Sequence, residues 1–226
     1  MDAHDQPHAA ADASSPPMSA TDTPPPRPAR VDGRRLRSER TKQLIIEAYL
    51  ALAQENSPQV PTAAEIAHRA GYSVRSVFER FPDIRTLQVA AVDYALVQIA
   101  ALAPARDSHG DRATRIKTQV ETRGQSCERW LPLWRSLVAN QGDSPELKQR
   151  IVLSRERVVT RLEVMYAPEL ATLPETERRH LLIVLEALTD VESWARMREF
   201  FGLSFEEACL AWRQAIDRLL PTTPSG

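Results

Sequence analysis

Along most of this chain apolar residues recur at helical spacing, and no long alternating strand pattern appears. The clearest stretch is TAAEIAHRAGYSVRSVFERFPDIRTL, residues 62–87. Thr62 with Glu65 three residues later is a capping-box pattern, and Ala63, Ile66, Ala67 and Ala70 form one apolar face. Gly71 can take the left-handed backbone that closes a helix, Ser73 is a good N-cap for the next one, and Pro82 stops it. Val74, Val77, Phe78 and Phe81 are read as the buried side of this second helix, with Phe78 and Phe81 chiefly core. Two short helices around a glycine turn make a helix-turn-helix, whose second helix can enter a DNA major groove.

The same reading predicts a helix over about 38–54, with Leu44, Ile45, Ala48, Leu52 and Ala53 on its packing face. Asp83 can cap another over about 84–102, with Leu87, Ala90, Ala91, Tyr94, Val97 and Leu102 on its apolar side. A loop follows at 103–111, then helices near 112–128, 130–140, 145–166, 175–200 and 204–220. They are separated at Pro132, at Gly142 to Pro145, at Pro168 to Pro174 and at Gly202. Residues 1–33 hold almost no large apolar residue and cannot offset their ordering entropy, so they are expected to be a disordered tail, extended around Pro24 to Pro28. The fold class is therefore all-α.

Composition agrees: seven glycines in 226 residues leave little material for elaborate catalytic loops, and the 42% apolar fraction permits a real core. Net charge is −1, which argues against a protein that coats nucleic acid uniformly. Its distribution is uneven. Residues 27–87 hold eleven Lys/Arg against seven Asp/Glu, whereas residues 1–26 hold four Asp and no basic residue. The positive excess thus lies on the helix-turn-helix segment, where phosphate attraction needs it. The run RRLRSERTK at 34–42 has two readings: a solvated helix start, or a backbone-contacting arm of Arg34, Arg35, Arg37, Arg40 and Lys42. Its position beside the helix-turn-helix favours the arm.

No nucleophile–base constellation, glycine-rich phosphate loop, GxSxG or HExxH is present, so an enzyme is not expected. His4, His8, His109 and His180 lack ligand spacing with Cys or carboxylates, so neither a metal site nor a cofactor is expected. Cys127 and Cys209 read as packed thiols of a reducing, cytoplasmic compartment, and no stretch of eighteen apolar residues predicts a membrane span. The start lacks the basic and apolar regions of a secretory signal.

The pattern Thr62-x-x-x-Ile66-Ala67-x-x-Ala70-Gly71-x-Ser73-x-x-x-Val77-Phe78-x-x-Phe81-Pro82 followed by Leu87 resembles the TetR/AcrR family of bacterial transcriptional regulators, over about fifty residues from 38 to 88. The resemblance implies a three-helix DNA-binding domain (34–87) joined to a helical bundle for ligand binding and dimerisation (88–226). It implies a homodimer on a double-stranded operator, most simply a repressor modulated by a small-molecule effector. On it, Thr62 bonds a phosphate from a helix N-terminus, and Ser73, Val74, Arg75 and Ser76 begin the recognition helix. Arg75 is the candidate for reading guanine. Tyr72 in the turn either packs or touches DNA. The family often has Tyr where Phe78 stands and Lys where Ile84 stands; Arg80 and Arg85 are the proposed replacements for those phosphate contacts. The alternative is a TetR-like ligand- or protein-binding module with weakened DNA binding.

In the larger half, Trp130 and Trp134 share a helix face, and polar residues interrupt apolar helices. Cys127, Trp130, Trp134, Met165, Asp190 and Trp194 are the candidate pocket residues, against readings of ordinary core for the tryptophans and an arginine ion pair for Asp190. Leu182, Leu185, Ala187, Leu188, Val191, Ala195, Leu210, Ala211, Ile216 and Leu219 exceed what one packing face needs, which suits a dimer interface.

Overall fold

The first helix, α1 (Gly33–Asn56), starts earlier than the expected 38, so the basic run forms its opening turns. The structure, a computed structural model, describes residues 33–102 and 108–224. The tail expected at 1–33 therefore lies outside the described residues, apart from Gly33, as does most of the 103–111 loop. After α1 come α2 (Ala63–Ala70), α3 (Val74–Phe78) and α4 (Ile84–Leu102), then α5 (Arg112–Asn140) and α6 (Pro145–Met165). A single turn, α7 (Ala167–Leu170), precedes α8 (Glu175–Leu188), α9 (Val191–Ala195) and α10 (Phe205–Leu219). The described residues contain no strand.

Local chemistry sets most of the boundaries. Thr62 Oγ1 accepts the Glu65 N–H at 3.3 Å while the Glu65 carboxylate accepts the Thr62 N–H at 2.8 Å, the full capping box. Gly71 sits at φ 74°, where the Tyr72 N–H reaches the Ala67 carbonyl and its own N–H that of His68, closing α2 with a Schellman pattern. Ser73, Asp83, Asp111, Ser144 and Ser204 each accept an N–H from the first turn that follows them.

Three boundaries depart from the expected ones. Residues 112–140 form one helix with Pro132 in its interior. A mid-helix proline costs about 3 kcal/mol; here Trp130 and Leu133 are buried on either side of it, and Ser57 Oγ donates to the Pro132 carbonyl at 2.9 Å. Burial therefore holds the helix through the break. The expected 175–200 helix is divided at Thr189–Asp190, where the Asp190 carboxylate caps α9. It ends in a wider turn over Arg196–Phe200, with the Phe201 N–H bonded to the Arg196 carbonyl. Finally, α3 stops at Phe78 instead of running to Phe81.

Two cores result. The N-terminal one joins Ile45, Tyr49, Leu52 and Ala53 of α1 to Ile66, Ala67, Val77, Phe81, Leu87 and Ala91, and it also takes in Trp130 and Leu133 of α5. The larger one packs α5, α6, α8, α9 and α10 around Trp194 and Trp212, whose rings lie 4.8 Å apart. Gly124 is required there. A Cβ on it would sit 2.8 Å from the Trp194 ring, so α5 passes the indole only without a side chain. Of the surplus apolar residues on the last helices, Leu182, Leu185, Val191, Ala195 and Ile216 are consumed by this core. Leu210 and Leu219 remain exposed, as do Ile183 and Val184 of α8. Val97, placed on the buried side of α4, is exposed, and the side chain of Leu102 is outside the described set.

Candidate functional site

The short α3 helix is seated by one line of side chains, fully buried Val77 with Phe81 beyond its end. Its other residues face outward. This corrects the core placement of Val74 and Phe78, which are 40% and 43% exposed. The reason is helical spacing: Val77 and Phe81, four apart, meet the core, while Val74 and Phe78, also four apart, lie to one side of Val77, with Phe78 about 100° round from it. Arg75, the one arginine of α3, has a side chain 88% accessible and an ion pair only to Glu79 on the next turn, at 3.0 Å. Ser73 and Ser76 are held together at 3.1 Å, at the start of the helix. Tyr72 packs against the N-terminal core, and its hydroxyl accepts from Thr41 Oγ1 at 3.4 Å, so packing is realised for it.

Arg34, Arg37, Ser38 and Thr41 of α1 meet Glu79 and Arg80 in a polar groove where the start of α1 passes the end of α3. Arg80 bends back to the Ser76 carbonyl at 3.2 Å and to Glu79 at 3.4 Å. Arg37 donates to the Gly33 carbonyl at 3.1 Å, and Lys42 pairs weakly with Glu39 at 3.7 Å. Arg35, Arg40 and Arg85 are exposed. Ile84 is part of the N-terminal core's margin, which accounts for an apolar residue at that position. Thr62 is exposed at the N-terminus of α2, already engaged with Glu65.

The second feature is a cavity of about 470 Å³ between α4, α5, α6 and the end of α8. Cys127, Trp130, Trp134 and Asp190 line it. Met165 and Trp194, placed with them by sequence, lie instead in the solid core: both are fully buried, and Trp194 donates to Glu128 at 3.1 Å between the rings of Phe205 and Trp212. The arginine ion pair considered for Asp190 is absent among the described residues; its carboxylate accepts the Glu192 N–H at 2.9 Å. Burial pushes the Cys127 thiol up to about 11, and that of Cys209 likewise, so both are protonated near neutrality and chemically quiet.

Sequence reasoning missed the arginines of this cavity, Arg123, Arg155, Arg157 and Arg161, and the acid Glu186. Their only signal was charge within otherwise amphipathic helices, which a solvated face explains equally well. Burial, then the neighbouring Asp190, raise the Glu186 carboxyl above its usual range, against the pull of Arg155 and Arg123.

The cavity and the helix-turn-helix share walls. Ala95, Trp130 and Leu133 belong both to the cavity lining and to the N-terminal core. The α1–α2 connection is bonded to α5 through Ser57 to Pro132 and through Asn140 to Pro58, each at 2.9 Å.

The sequence matches no protein-family model and no curated protein. The structure does match solved ones. A TetR-family transcriptional regulator from Streptomyces coelicolor is similar at 18% identity, TM-score 0.66, over 80% of each chain. A transcriptional regulator from Rhodococcus sp. Rha1 is similar at 16% identity, TM-score 0.66, over 81% of this chain and 99% of that one. The multidrug binding protein EbrR, complexed with imidazole, is similar at 18% identity, TM-score 0.57, over 83% of this chain and 93% of that one. This chain therefore has the fold of TetR-family transcriptional regulators, an all-α helix-turn-helix unit followed by a helical bundle.

Proposed function

We propose that this protein is a sequence-specific, dimeric DNA-binding transcriptional regulator, most simply a repressor whose grip on its operator is changed by a small molecule in the interior cavity. The observation that carries the reading is α3: a helix held by Val77 alone among its own residues, with Arg75 left 88% exposed at its outer side. A guanidinium so placed can give two parallel bonds to guanine O6 and N7. Exposed Val74, one turn before Phe78, offers an apolar contact for a thymine methyl. The groove of Arg34, Arg37 and Arg80 supplies the backbone attraction, with Arg35, Arg40, Lys42, Thr62 and Arg85 around it. In this reading residues 34–87 are the DNA-binding domain and 88–226 the effector and dimerisation domain, working in the cytoplasm without catalysis.

The exposed apolar side chains of α8 and α10 suit an isologous two-fold interface. Such a dimer sets two recognition helices about 34–36 Å apart on a palindromic site. A ligand affects that spacing only if it prefers one arrangement to the other. The shared walls at Ala95, Trp130 and Leu133 are where this preference can reach the helix-turn-helix. The fold's occurrence in EbrR bound to imidazole and to proflavin supports a cavity able to take small molecules.

Gel-shift binding to DNA flanking its own coding region tests the reading, and a retarded complex that survives excess unrelated DNA is the expected result. Absence of any specific complex at moderate salt favours the second reading, a ligand- or protein-binding module, to which the exposed apolar Phe78 on α3 lends its one specific support.

A further inference from the structure

The cavity differs from the rest of the body in how its charges are matched. At several other contacts between helices an arginine meets a carboxylate: Arg115 with Glu169 at 2.6 Å, Arg150 with Asp93 at 2.8 Å, Arg135 with Glu199 at 2.9 Å, Arg198 with Glu128 at 2.5 Å. Arg123, Arg155 and Arg157, which line the cavity, have no carboxylate within 4.0 Å among the described residues. Arg123 is steadied by a neutral acceptor, its Nε donating to the Thr189 carbonyl at 2.9 Å, and Arg155 rests 5.8 Å from the centre of the Trp134 ring. With Arg161, four guanidinium groups line the space against two carboxylates, Glu186 and Asp190, and Asp190 already caps α9.

Trp130 and Trp134 add aromatic surface to the cavity wall. The remaining walls are apolar, among them Val92, Leu96, Ile99 and Val158.

From these matches we infer that the cavity takes an amphipathic organic anion: an apolar body against the α4–α5 wall and a carboxylate-type head among Arg123, Arg155 and Arg157. The inference rests on the proposal that the cavity binds a small molecule, and it names that molecule's class. The head accepts only and carries negative charge, so it answers the excess of guanidinium donors. A cationic ligand would meet like charge at the same place.

Calorimetric titration of the full chain with three probes of one chain length tests it: decanoate, decanol and decyltrimethylammonium, each below its micellar concentration. Decanoate is expected to bind saturably and at least about tenfold more tightly than decanol, with the cation weakest. Arg155→Gln combined with Arg157→Gln should weaken decanoate by about tenfold or more and leave decanol within about twofold. Both positions are exposed, so folding is retained, and Arg155→Lys should keep most of the decanoate affinity. Equal affinity for decanoate and decanol, tighter binding of the cation, no saturable binding of decanoate, or an undiminished double variant each overturns the ligand class. The DNA reading fails separately: decanoate bound by calorimetry while the retarded DNA complex is unchanged overturns ligand control and leaves the anion site standing.

Discussion

The helix-turn-helix and the helical body hold their charges in opposite ways. In the first, Arg75 pairs only with Glu79 just past the end of its helix, and Arg35, Arg40 and Arg85 are exposed; Arg69 with Glu55, at 2.6 Å, is the exception that ties α2 to α1. In the body, Arg115 lies beside Glu169 with side chains 4% and 0% exposed, bonded through two oxygens at 2.6 and 2.8 Å. Arg112 then reaches the Asp217 carboxylate and the carbonyls of Asp217, Leu220 and Pro221, while Thr223 donates to Glu169, so the C-terminal segment is fastened across α5 and α7. The contrast separates two uses of one residue type. An arginine matched by a carboxylate across helices ties elements of the fold together; one left without such a match keeps its donors for the ligands proposed above, DNA at α3 and an organic anion in the cavity.

The sharpest way to break this contrast is at the buried pair. Glu169→Gln leaves the Arg115 guanidinium buried without its counter-charge and should cost about 3–5 kcal/mol by denaturant unfolding. A loss below about 1 kcal/mol would place this pair with the weak surface bridges. Burial works to raise the Glu169 carboxyl, yet the bonds from Arg115 and Thr223 prevail and hold it well below the usual carboxylate range. A carboxyl depressed in the folded state contributes stability above its unfolded value, about 4.3, and loses it as pH falls toward the folded value. Wild-type stability should therefore decline below about pH 5 more steeply than that of Glu169→Gln, as followed by the denaturant midpoint.

Gly124→Ala is the next step down. The new Cβ meets Trp194 at 2.8 Å, and that ring cannot retreat from Phe205 and Trp212. Overpacking of this kind costs about 1–3 kcal/mol, against a helix-propensity gain of about 1 kcal/mol, so a measurable net fall in thermal stability is expected. On the other side of the contrast, Arg75→Ala should leave stability within about 0.5 kcal/mol while weakening operator binding by about 1–3 kcal/mol in competition gel shifts. Equal loss on unrelated DNA would show Arg75 to be a phosphate contact. Thr62→Ala removes a cap and should destabilise by about 1 kcal/mol. The smallest effect is expected from Arg80→Ala with Arg85→Ala: a salt-dependence slope reduced by about 1 for each phosphate that an arginine no longer neutralises. An unchanged slope would remove both side chains from the interface.

The same contrast explains what could be read early. The signals of the helix-turn-helix are local: Thr62 with Glu65, Ser73 with Ser76, Gly71 with Ala67 and His68 all act within one turn of chain, so residue type and spacing reveal them. The locks of the body join positions far apart, Arg115 to Glu169, Arg112 to Asp217 and Trp194 to Glu128, and no local pattern announces them. That is why sequence does not separate Trp194 and Met165 from cavity residues, and why it does not single out the cavity arginines. The same limit applies to Phe78, whose exposure depends on which face of α3, that of Val77 and Phe81 or that of Val74 and Phe78, meets the core.

Amino-acid order by itself determined the all-helical class, the caps of α2, α3, α4, α6 and α10, and the location of the positive excess, because each follows from backbone hydrogen bonding and side-chain type within a few residues. Only the tertiary structure decided that α5 runs through Pro132, which tryptophan is wall and which is core, and which arginines lack a carboxylate. Those outcomes depend on burial between helices distant in sequence, where packing outweighs local preference and a charge is settled by whichever partner the fold brings to it.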